Sequence, residues 1–218
     1  MSRWQVRIII LLAVGLSLGQ APLEASTKTA AMVLETLAVK GRAPKTGYDR
    51  AQFGPAWSDV DRNGCDTRND ILNRDLTSIV YKPGTRDCVV FSGTLVDPYS
   101  GEQISFLRGV DTSSDVQIDL VVALSNAWQT GAFKLTYEKR LAFANDPMNL
   151  LAVKGRLNSQ KGDGDAATWL PPQKNIRCAY VAQQIVVKAK YGLWVTPPEK
   201  AAMVSLLAKC QGFKAPGN

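Results

Sequence analysis

Four cysteines behind an export-type N-terminus constrain this chain more than any other feature. They set both the compartment in which it folds and the links its fold must accommodate. Met1 to Arg7 carries Arg3 and Arg7, Ile8 to Leu18 is almost wholly apolar, and Gln20 to Ser26 turns polar around Ala21 and Ala25. This is the layout of a signal peptide, with cleavage expected after Ala25 and export to the extracellular space or the cell envelope. The apolar run is shorter than the roughly 20 residues a spanning helix needs. A retained anchor is the alternative reading, and no stable membrane span is expected after processing. In an oxidising compartment Cys65, Cys88, Cys178 and Cys210 are expected to form two disulfides. Sequence alone permits three pairings. Cys65 with Cys88 and Cys178 with Cys210 is the favoured one, because each link then staples one local unit. A zinc site is not expected, since the chain has no histidine and no CxxC pair, so all four thiolates would have to converge from wide separations.

With 218 residues, 45% hydrophobic and 21% charged, the composition suits one globular domain with extensions and excludes a disordered chain. The formal net charge is +7, and removing residues 1–25 takes away two arginines and one glutamate, leaving +6. Such an excess of Lys and Arg suits a polyanionic partner, either nucleic acid or an anionic envelope surface, although many exported proteins are basic without one. The expected organisation is a signal peptide over residues 1–25, an N-terminal tether over 26–46 that mixes a short apolar patch, Met32 to Val39, with a turn-prone docking strap from Lys40, a single domain over 47–212 and a C-terminal tail over 213–218.

Along the domain, Tyr48, Phe53 and Trp57 supply the first aromatic anchors, and the stretch from Gly64 to Asp70 begins a short helix that Ile71, Leu72 and Leu76 would bury. Cys88 to Val96 and Gln103 to Arg108 are β-rich runs on either side of the turn-forming Asp97-Pro98-Tyr99-Ser100-Gly101, which predicts a hairpin. Val116 to Ile118 reads as a strand delivering Asp119 and Leu120 into a loop. Ala123 to Gln129 reads as helical, and Thr136 caps a helix ended by Asn145-Asp146-Pro147. Asn149 to Val153 is a second strand, followed by a helical turn over Arg156 to Lys161. Strand, loop, strand and helix make a ββα layout. Further on, Ile176, Tyr180, Val181, Ile185 and Val187 lie on one helix, and Thr196-Pro197-Pro198-Glu199 opens another with a capping box. Trp128, Trp169 and Trp194 sit in apolar surroundings and read as core. The expected class is α+β, with an N-terminal β-hairpin region and a C-terminal helical hairpin.

Four blocks of residues carry a resemblance: 40–48 (KGRAPKTGY), 63–70 (NGCDTRND), 145–153 (NDPMNLLAV) and 160–171 (QKGDGDAATWLP). Taken in this order, the span from about Lys40 to Cys210 resembles the secreted HNH-endonuclease-like proteins of actinobacteria. These share the C-terminal domain of GmrSD-type modification-dependent restriction endonucleases. The resemblance implies a ββα-metal core of the HNH or His-Me finger type and metal-dependent hydrolysis of nucleic acid, DNA in preference to RNA. It implies Mg2+ or Mn2+ as the cofactor, with no small-molecule cofactor besides. Asp119 matches the metal-binding carboxylate, Asn158 the distal metal ligand and Asn149 the asparagine that tethers the loop. Lys161 and Arg68 are expected to face a phosphate, and Asp163 or Asp165 to add an outer contact.

The chain departs from this pattern where family members read Asp-His-Val-Val-Ala-Leu-Ser-Asp. Here the residues are Asp119-Leu120-Val121-Val122-Ala123-Leu124-Ser125-Asn126. Leu120 stands where the general-base histidine belongs, and no histidine elsewhere in the chain can replace it. Positioned general-base catalysis is worth roughly 10²–10⁴ in rate, so impaired or absent cleavage is expected. A metal-bound hydroxide could still leave a residue of activity. The competing reading is a non-catalytic module that binds nucleic acid or the cell envelope. Singly, each site residue also has a structural reading: Asp119, Asn149 and Asn158 as turn or cap residues, Leu120 as core, and Arg68 with Asp70 as an ion pair.

Overall fold

Both cross-links form as favoured: Cys65 bonds Cys88 and Cys178 bonds Cys210, with Cα atoms 5.4 and 6.1 Å apart. The computed structural model describes residues 28–216. The expected signal peptide lies outside them. The architecture is α+β, with helices packed around two small antiparallel sheets.

The chain enters through a short helix, α1 (Ala30–Glu35), capped by the Thr29 hydroxyl. Ala30, Leu34 and Leu37 are buried in one cluster with Tyr180, Val181, Ile185 and Met203. Residues 28–46, expected to be a tether, thus contribute to the core. The following strap is pinned by hydrogen bonds from the Trp194 and Trp128 indoles to the Gly41 and Thr46 carbonyls and from the Ala43 amide to the Gln129 carbonyl. At the other end, Lys214 forms a β-bridge with Thr29. The Ala30 amide donates to the Phe213 carbonyl, and the Ala215 amide to the Lys28 carbonyl.

Asp66 caps α2 (Thr67–Asp75), which runs without a turn into β1 (Leu76–Tyr81). The expected hairpin is β2 (Val90–Val96) with β3 (Gln103–Leu107), and β1 adds to its free edge in the order β1-β2-β3. The strand β1 was not foreseen. Ile71, Leu72, Leu95 and Phe106 bury this sheet's inner side against Ile118, Leu150 and Ala152 of the second sheet.

That second sheet pairs β4 (Val116–Leu120) with β5 (Leu150–Lys154), Ile118 opposite Ala152 and Leu120 opposite Leu150. The helix α5 (Gly155–Lys161) starts at once. Only a glycine fits at its first position, because a Cβ on Gly155 would collide with the Ser114 carbonyl oxygen. Between the strands lie α3 (Leu124–Gln129) and α4 (Tyr137–Ala144), the latter capped by Thr136 as expected. The C-terminal pair is α6 (Arg177–Lys190) and α7 (Pro197–Leu207). A full capping box of Thr196 with Glu199 opens α7. Lys188 on α6 meets Glu199 at 2.6 Å with both side chains buried. Burial pushes the Glu199 carboxyl up and the Lys188 ammonium down, and each partly offsets the other. Trp128 and Trp194 are buried, and Trp169 packs against the main core cluster. Among the described residues no helix is long and apolar enough to cross a membrane.

Candidate functional site

β4 carries Asp119 and Leu120 to the edge of a cleft of about 330 Å3, which Arg50, Leu124, Ser125, Asn158 and Asp163 also line. Leu120, Leu124 and Arg50 line in addition a smaller hollow of about 120 Å3 reaching toward Phe53 and Trp57, so the two spaces adjoin across the leucine. Leu120 thus forms an apolar wall between them.

Asp119 is buried and fully engaged. Its Oδ2 accepts from the Tyr99 hydroxyl at 2.5 Å, and its Oδ1 accepts from Lys161 Nζ at 2.8 Å. The same ammonium donates to the Leu120 carbonyl at 2.7 Å. Lys161 ends α5 and turns back under β4 rather than out toward a phosphate, and none of its side chain is exposed. Tyr99 is itself enclosed, edge-on to Trp169 and Tyr180 at 5.0 and 5.6 Å between ring centres. Burial, and then the Asp119 charge, push its phenol well above the usual range. Sequence reasoning read Tyr99 only as part of a turn. Nothing local marks its role, because it sits in the turn between β2 and β3 and its partner lies on β4.

Asn149 holds the chain just beyond β4. Its Oδ1 accepts from the Val122 amide at 2.8 Å, and its Nδ2 donates to the Val122 and Phe143 carbonyls. Gln184 on α6 reinforces this by donating to the Val121 carbonyl. Asn158, half-buried on α5, donates to Gln117 Oε1 at 2.8 Å. Across the cleft Asp163 accepts from Lys45 Nζ at 2.8 Å and from the Ser125 hydroxyl at 3.0 Å. The Lys45 contact is the main reason its carboxyl sits below the ordinary value. Asp165 pairs with Arg42 at 2.6 Å. Asn126 is buried, and neither end of its amide has a hydrogen-bond partner among the described residues.

Arg68 stands apart from the cleft. Its guanidinium donates to the Ser113 and Val116 carbonyls, tying α2 to the start of β4, and burial lowers its pKa. The alternative Arg68–Asp70 ion pair is also not formed; Asp70 accepts from Asn63 instead. A half-buried guanidinium with two backbone partners is a clamp, and in this structure Arg68 makes that contact rather than facing the cleft where a phosphate was expected.

The residues do not fit a divalent cation as they stand. Both oxygens of Asp119 already accept hydrogen bonds, one of them from a fixed positive charge. Two unit charges 4 Å apart interact by about 4 kcal/mol at an effective dielectric near 20, and a divalent ion doubles the repulsion. Asp163, the other carboxylate on the cleft, is held by Lys45. Among the described residues no three histidine, cysteine or acidic side chains gather as a metal site would require.

A family model for GmrSD restriction endonucleases, C-terminal domain, matches residues 66–206. The chain is also 38% identical over 187 residues to a protein of Arthroderma benhamiae described as an uncharacterized secreted protein. That match covers 85% of this chain and 86% of the relative. No solved structure matches. The matched span holds Tyr99, both strands of the second sheet, α5 and the paired Asp119 and Lys161, and on these grounds the chain belongs to the family of GmrSD restriction endonuclease C-terminal domains.

Proposed function

We propose that this protein is a secreted member of a nuclease family that binds nucleic acid, DNA in preference to RNA, with its phosphodiester hydrolysis lost or strongly impaired. The observation that carries the reading is Leu120, an apolar wall beside Asp119 in a chain that has no histidine to serve as base. In this reading β4, β5 and α5 are the ββα core, and Leu120 replaces the histidine found in its secreted actinobacterial counterparts. Leucine neither accepts a proton nor binds a metal, which removes a factor of roughly 10²–10⁴ from the rate. The pairing of Asp119 with Lys161 works in the same direction. It leaves the Mg2+ or Mn2+ of the expected chemistry without an open carboxylate. Export is supported by the two disulfides and by the description of the Arthroderma benhamiae relative as secreted. Binding is supported by family membership and by the net positive charge, with Arg50 placed on the cleft.

The test is plasmid DNA incubated with the protein and Mg2+ or Mn2+, alongside retention on immobilised DNA over a salt series. The expected result is no nicking above a buffer blank, with retention at low salt that weakens as salt rises, since phosphate contacts release counterions. Arg50→Glu should weaken retention further. Nicking by the unaltered protein above the blank and equal to that of Leu120→His overturns the catalytic half of the reading, and absence of retention at low salt overturns the binding half.

A further inference from the structure

We infer that Lys161 supplies in covalent form the positive charge that the family resemblance assigns to a divalent ion, so that Asp119 takes up no Mg2+ or Mn2+ while Lys161 is in place. Three placements carry this. Lys161 Nζ lies 2.8 Å from Asp119 Oδ1 and 2.7 Å from the Leu120 carbonyl oxygen, so the ammonium holds both acceptors at the end of β4. The second oxygen of Asp119 accepts from Tyr99, which gives each carboxylate oxygen a donor from the chain itself. The lysine side chain is wholly buried and the aspartate nearly so. That burial removes the water through which an exposed lysine exchanges partners, and it makes either charge costly to leave alone.

The pair is also at the right place to matter. The buried Lys188 and Glu199 close a junction between two helices, whereas Asp119 lines the cleft beside Leu120 and Asn158. An ordinary surface ion pair would be screened and would yield its carboxylate to a metal readily. This one is enclosed by Tyr99, Tyr180 and Trp169, with the aromatic rings in edge-to-face contact. The site is therefore charge-balanced before anything enters it. With the apolar Leu120 beside it and Lys161 in the cation's place, the site is a closed polar core rather than a metal-centred one.

This inference rests on reading the cleft as the family's site and is independent of whether the cleft holds nucleic acid. The experiment is a titration of Mn2+ into the full chain followed by electron paramagnetic resonance, with no nucleic acid present. The unaltered protein should show no saturable Mn2+ site. Lys161→Met, which keeps length but not charge, should acquire one, with affinity raised about tenfold or more. Asp119→Asn combined with Lys161→Met should lose it again. Saturable binding by the unaltered protein that disappears in Asp119→Asn overturns the inference, as does a folded Lys161→Met that gains no site. Should Lys161→Met fold poorly, thermal melts decide: the double variant must melt above the single one, because the lone buried carboxylate has been neutralised. A double variant no more stable than Lys161→Met also overturns it. A failure of DNA retention leaves these outcomes untouched, and Mn2+ at Asp119 leaves DNA retention untouched.

Discussion

Asn149 is wholly buried and commits its amide to backbone groups on both sides, receiving from the Val122 amide and donating to the Val122 and Phe143 carbonyls. Removing it strands those groups away from water. Asn149→Ala should therefore cost about 3 kcal/mol or more, given that each of the three stranded groups costs roughly 1–3. A urea midpoint unchanged from the unaltered protein would show that the loop after β4 is held by something else. An asparagine at the start of a strand is legible in sequence as a turn or tether residue. Lys161 and Arg68 are not legible in the same way. Long basic side chains read as surface, and here their burial is decided by Asp119, Ser113 and Val116, more than forty residues away in each case.

At the scale of elements, local chemistry announced most of what forms. The Thr196–Glu199 capping box, the Thr136 cap, the hairpin across Asp97–Glu102 and the two strands before α5 all follow from short-range signals. The strand β1 did not, for a specific reason. Leu72 and Leu76 keep helical spacing straight through the junction, and no glycine or proline separates α2 from β1. Its pairing with β2 is irregular around Thr77 to Tyr81, and Ser78 has φ of 50°, so alternation along the strand is broken as well. The helix α1 was hidden differently, since one apolar face of six residues cannot be told from a strap until α6 and α7 are there to receive it. The α6–α7 hairpin gives the clearest test at this scale. Changing Cys178 and Cys210 together to alanine should lower stability by about 2–4 kcal/mol in denaturant while leaving the helical circular dichroism near native, because a link of this kind acts chiefly on the unfolded chain.

Across the whole molecule, the N-terminal 28–46 segment is more than a tether, since its apolar patch packs into the main core. Leu34 and Leu37 are buried, and burying a side chain of that size contributes about 1.5–3 kcal/mol. A chain shortened to begin at residue 47 should thus lose about 3–6 kcal/mol, a large part of the 5–15 kcal/mol that holds a typical domain together. A thermal melt within a few degrees of the full protein would sink that expectation and restore the tether. The same segment explains why the cleft is legible only in part. Its floor comes from β4 and α5, which the sequence marks, while Lys45 reaches Asp163 on its wall from a strap whose path is fixed by Trp128 and Trp194.

The bridge between Thr29 and Lys214 has a mechanical consequence. The two short segments run antiparallel, so tension applied at both ends of residues 28–216 opens their hydrogen bonds one after another, like a zip, and meets little resistance there. The load on the C-terminal side then arrives at Cys210 within a few residues and passes through its sulfur to Cys178. All of α7, with its capping box and the buried Lys188–Glu199 contact, lies inside that covalent shunt. It stays slack together with α6 beyond Cys178, while the chain before Cys178 carries the force.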